Sequence, residues 1–203
     1  MKFANYIKLP LCRKQKTVEI EKLTGVWLVN WKIGRISLYS TYYTCVDRAC
    51  MLWILFILPM FITPHFFAVS WTLQAILWSI LSLAGIGTMI ILAYNWVKDK
   101  QVTWLLYSWT SLILIGLIIT DLSIFLGWGE ILVNLCSLWL ILSAIGYLCT
   151  SVALRSLAFF LTAIIHCLVI LILPYLIAWQ FLLTGIFMAA CLFILAEFRW
   201  DTL

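Results

Sequence analysis

The sequence predicts an all-α integral membrane protein, a six-helix transmembrane bundle with an ordered N-terminal cytoplasmic segment. Three observations carry this. Apolar residues make up 66% of the 203-residue chain and charged residues only 10%. The 146 residues from Met51 to Ala196 hold six charges: Lys98, Asp99, Lys100, Asp121, Glu130 and Arg155. Nine of the thirteen Lys and Arg precede Met51. So little polar surface cannot cover a water-soluble globule of this size. The apolar runs are continuous rather than alternating, which excludes a β-barrel.

The charge-free runs are 51–97, 101–120, 131–154 and 156–196. One crossing takes roughly 20 residues over about 30 Å of hydrocarbon. The middle two runs each fit one span. The outer two, 47 and 41 residues long, would make straight helices far longer than the bilayer is thick and must fold back. The spans then lie near 51–68, 71–97, 103–122, 131–152, 156–178 and 180–197. They form a transmembrane domain over 51–197, preceded by a basic, aromatic segment (1–50) and followed by a short tail (198–203). Proline disfavours helical geometry in its predecessor, so Pro64-His65 leading to Ser70-Trp71 marks the first turn. The second falls between Pro174 and Gln180.

Threading six spans from a cytoplasmic N-terminus puts all thirteen basic residues on the cytoplasmic side, with none in the outer loops. This asymmetry is what membrane topology favours, so both termini are expected in the cytoplasm. The first ten residues lack the apolar core of a cleaved signal peptide, and the first span serves as the anchor. A bacterial inner or thylakoid-type membrane fits.

Residues 1–50 hold nine basic and three acidic side chains, a balance of +6. Arg13, Lys14 and Lys16 suit the anionic headgroups of the inner leaflet. No nucleic-acid module fits so short a segment. The stretch Val26 to Tyr39 is too aromatic and β-branched to be disordered. It reads either as a hairpin turning at Lys32-Ile33-Gly34 or as an interfacial segment with Trp27 and Trp31 at headgroup level; the aromatic content favours the second.

Pro59 should kink the first span. In the second, Ser79, Ser82, Gly85 and Thr88 recur every three residues, the spacing of a close helix contact. Leu77 to Ser82 resembles Leu138 to Ser143 at an offset of 61, with Gly85 and Gly146 following. In a chain this rich in Leu, Ile and Trp, chance is the favoured explanation.

Catalytic chemistry has no visible seat. There is no nucleotide loop, HExxH or GxSxG. The seven cysteines show no zinc spacing and none lies in an outer loop, so neither metal nor structural disulfide is expected. No cofactor is expected either. The polar residues that a membrane makes costly are His65, Asp121, Glu130, Asn134 and His166. As a set they suggest a cation path from the outer face inward. The preferred function is a non-catalytic scaffold, assembly or accessory factor of a larger membrane complex. Its partners are the bilayer and other membrane proteins, with no nucleic acid. The alternative is a small transporter or channel for a cation or small solute.

Overall fold

The computed structural model describes residues 12–14, 27–33 and 36–199. Lys16 and residues 200–203 lie outside them. Six helices are long and apolar enough to cross a membrane. They are α1 (Cys45–Phe66), α2 (Trp71–Asp99), α3 (Thr103–Leu126), α5 (Leu135–Leu154), α6 (Leu157–Ile172, continued by a 3-10 turn to Tyr175) and α7 (Gln180–Glu197). A five-residue helix, α4 (Gly129–Val133), joins α3 to α5. Neighbour packing runs α1–α2–α3–α5–α7 and returns to α1, a closed ring, while α6 leans on α5. Large apolar side chains stand exposed around the perimeter; Leu55, Ile91, Val152 and Leu171 are all about two-thirds exposed or more. Such an apolar belt is foreign to a protein surface in water and natural against lipid.

The first and last described strands meet. Strand β1 (Cys12–Arg13) pairs antiparallel with β4 (Phe198–Arg199), and β2 (Trp27–Ile33) pairs with β3 (Ile36–Tyr43), which leads directly into α1. The first and last described segments therefore lie at one end of the bundle, called here the terminal end. Residues 27–33 and 36–43 thus pair as a hairpin, the reading that aromatic content had disfavoured. In the backbone register Trp27 opposes Tyr43 and Trp31 opposes Tyr39.

Three local readings shift. Helix α1 starts at Cys45, so Asp47 and Arg48 belong to its first turn rather than to a lead-in. The fourth span is broken at Asn134 into α4 and α5. Pro64 does not end its helix, which runs on to Phe66. Proline leaves the carbonyl four residues earlier without a donor. Here that carbonyl, Met60, accepts from Gln74 Nε2 and Trp78 Nε1, each at 2.8 Å. Helix α2 thus satisfies what Pro64 releases, as an apolar surrounding requires.

The helices interlock by seating rings on glycine. A Cβ added at Gly85 would lie 2.6 Å from the Trp53 ring, and one at Gly146 would lie 2.5 Å from Trp109. At Gly185 the near atom is the Cβ of Phe61, so there α1 and α7 approach backbone to backbone. The first two contacts are equivalent. Trp53 and Trp109 are 56 residues apart on α1 and α3, and Gly85 and Gly146 are 61 apart on α2 and α5. The match at offset 61 thus has a counterpart in the packing: hairpins α1–α2 and α3–α5 each seat an indole on a glycine, and Trp78 and Trp139 meet edge to face at 5.8 Å.

Gly146→Ala is expected to destabilise the detergent-solubilised protein by about 1–3 kcal/mol through overpacking against Trp109. Gly87→Ala, whose added methyl meets nothing within 4 Å, is the control and should leave the thermal midpoint unchanged or raise it.

Candidate functional site

Two places in the bundle gather chemistry: a charged clamp at the terminal end and an apolar cavity at its centre.

The clamp begins with a helix start. Thr44 caps α1 by accepting from Asp47 N at 3.3 Å, and the Asp47 carboxylate accepts from Thr44 N at 2.7 Å. This reciprocal pair satisfies two orphan amides and places a negative charge at the positive end of the helix dipole. Lys14 then reaches in. Its ammonium donates to Asp47 Oδ2 and to the carbonyl of Ala196, both at 2.6 Å. The two charged side chains are only 3% and 1% exposed. Ala196 ends the last turn of α7, where the dipole is negative and favours a cation. The ring centroids of Tyr42 and Tyr43 lie 5.3 and 5.2 Å from the same ammonium, within cation–π range. The Tyr43 hydroxyl donates to Glu197. Lys14, expected at lipid headgroups, is instead turned inward and neutralised inside the protein. Of the other residues assigned there, Arg13 and Trp31 are described in backbone only, and Trp27 is exposed with Arg48 Cζ 5.0 Å from its ring centroid.

The five polar residues proposed for a path are placed as follows. His65 lies edge-on to Phe66 and 4.7 Å from the Trp179 ring. Asp121 lies within α3, not in a loop, and accepts from Ser79 Oγ of α2 at 2.9 Å. Glu130 is exposed, and Asn134 Nδ2 donates to its carbonyl at 2.9 Å. His166 is fully buried between Tyr147 and Phe187, with ring centroids at 4.9 and 4.8 Å. Its Nδ1 lies 2.8 Å from the Thr162 carbonyl. A carbonyl only accepts, so Nδ1 carries the proton and Nε2 is left as a lone pair. Nε2 has no partner among the described residues. Hydrogen bonds and ring contacts among the described residues join only Glu130 and Asn134 of the five. Among those residues no three of His, Cys, Asp and Glu gather as metal ligands.

The cavity, about 140 Å³, is lined by residues of all six long helices. Its wall repeats the likeness of the two hairpins. Trp53 and Ile57 of α1 stand where Trp109 and Ile113 stand on α3; Trp78 and Ser82 of α2 stand where Trp139 and Ser143 stand on α5. None of the five path residues touches it. Sequence reasoning passed over this site. Its one visible signal was the Trp-x-x-x-Ser-x-x-Gly spacing of Trp78, Ser82 and Gly85, repeated at Trp139, Ser143 and Gly146.

Comparison of the chain with protein-family models, curated proteins and solved structures finds no match.

Lys14→Met alone is expected to cost about 3–5 kcal/mol, because it strands the buried Asp47 carboxylate. Adding Asp47→Asn should recover most of that loss. Thermal unfolding of the single and double variants checks both. Asp121→Asn keeps an acceptor for Ser79 and should change stability by less than about 1 kcal/mol; a larger drop in the same melt would mean the charge itself is structural.

Proposed function

We propose that this chain is a non-catalytic multi-pass membrane protein, a scaffold, assembly or accessory factor of a larger membrane complex, with both termini in the cytoplasm. The observation that carries this reading is the hairpin β2–β3. It contributes nothing to crossing a membrane, yet it is fixed to the bundle by the Thr44–Asp47 cap and the Lys14 clamp immediately after it. At the end of the hairpin next to α1, Trp27 is 63% exposed and backed by Arg48. An exposed tryptophan on a rigid mount is a common anchor at protein interfaces. Orientation is supported by charge: Lys98, Lys100, Arg155 and Arg199 sit at helix ends on the side of the terminal end, the side favoured for the cytoplasm.

The test is gentle solubilisation from the native membrane followed by sizing. The chain is expected in a particle larger than itself. Trp27→Glu should release it as a free chain with its thermal midpoint unchanged. A wild-type protein that runs free and monodisperse would count against the reading.

A further inference from the structure

The central cavity is a site that the accessory reading does not use. Five of the twelve tryptophans line it: Trp53, Trp78, Trp96, Trp109 and Trp139. Apolar cavities of this size stay dry; an engineered one of about 150 Å³ holds a benzene molecule. At about 140 Å³ the space here takes one six-membered ring with small substituents. Helix faces around it are apolar and exposed, so what enters arrives from the lipid phase. Indole faces take a flat π-system by offset stacking. The wall is not wholly apolar, however. Ser82 and Ser143 bring hydroxyls from α2 and α5, two helices separated by α3, at equivalent positions of the two like hairpins. Thr150, also on the wall, is already engaged, accepting from Trp109 Nε1 at 2.9 Å and donating to the Gly146 carbonyl at 2.8 Å. Tyr147 and the indoles of Trp53 and Trp96 also reach the wall, but Ser82 and Ser143 are the donors that stand at equivalent places on the two halves. Two donors on equivalent halves match a ring with an acceptor oxygen at each end.

We propose that the cavity binds a lipid-soluble quinone, with the ring between the tryptophans and its two carbonyl oxygens taken by Ser82 and Ser143. This goes beyond the accessory reading and stands or falls without it.

The experiment uses the full chain in nanodiscs, with tetramethyl-p-benzoquinone as probe and tetramethylbenzene, a six-membered ring with the same four methyls and no carbonyls, as comparison. The quinone should quench tryptophan fluorescence saturably and raise the thermal midpoint more than tetramethylbenzene does. Ser82→Ala with Ser143→Ala should weaken quinone binding about tenfold and leave tetramethylbenzene binding unchanged. Ser82→Leu with Ser143→Leu, which fills the space, should abolish both. Quenching that rises linearly without saturation would overturn the proposal, as would equal stabilisation of the wild type by the two probes. The wild-type comparison decides even if the filled variant does not fold.

Discussion

Hydrocarbon gives helices no hydrophobic reason to associate, so this bundle depends on shape: aromatic rings seated on glycine. Without water to expel, contact area and close approach supply the attraction. At Gly85 and Gly146 the absence of a side chain lets the Trp53 and Trp109 rings lie directly on the neighbouring backbone, and at Gly185 it lets the Cβ and backbone of Phe61 come close. Each contact joins a different pair in the ring: α1 to α2, α3 to α5, and α1 to α7. Gly116 adds a fourth, taking Leu142 and Trp139 of α5 onto α3. The seams are therefore fixed in register along the helix, since a ring can sit only where the glycine is.

The polar groups follow the same geometry. Trp78 Nε1 donates to the carbonyl that Pro64 releases, and Trp139 Nε1 donates at 3.2 Å to Thr120, which itself bonds back to Gly116. Met60 and Gly116 occupy equivalent positions on α1 and α3, 56 residues apart. One hairpin reaches the carbonyl directly and the other through a threonine hydroxyl. In both, an indole N–H that would be costly in an apolar interior finds a partner. At the terminal end the same rule governs full charges. Asp47 and Lys14 face the opposite dipole ends of two antiparallel neighbours, α1 and α7, and neutralise each other between them.

The six long apolar helices were legible because a crossing of the bilayer would impose a length on each, and charge scarcity shows that length directly. Contacts were less legible, for physical reasons. Lys14 reads as one member of a basic cluster; only folding brings it to residues 33 and 182 positions away. The capping pattern Thr44 to Asp47 was visible, and would have placed Asp47 inside the first turn of α1. Pro64 misled because its effect depends on whether a neighbour offers a donor, and Gln74 and Trp78 lie on another helix. Asp121 read as the end of the third span because its charge ended an apolar run. The partner that lets a helix carry it, Ser79, lies 42 residues earlier. The hairpin was disfavoured because aromatic residues suit both a strand pair and a membrane interface, and composition alone does not separate them.

The cavity follows from the same packing that holds the ring closed. An indole seated on a neighbouring glycine has its bulk in the seam between two helices, so it draws the pair together at the rim and does not fill the middle. Trp53 and Trp109 do this on both halves, and opposite them the inward turns of α2 and α5 carry small residues, Ser82 and Ser143. Leucine at those two positions would have been the ordinary choice for a close-packed core, and interiors normally leave few voids larger than a water molecule. Five helices joined in a ring need some filling at their axis. Here it is supplied only in part, by Phe61 and the Trp78–Trp139 pair near one end. The space left over is a consequence of where the glycines and serines stand in the sequence, and it recurs in both hairpins because both carry the same spacing.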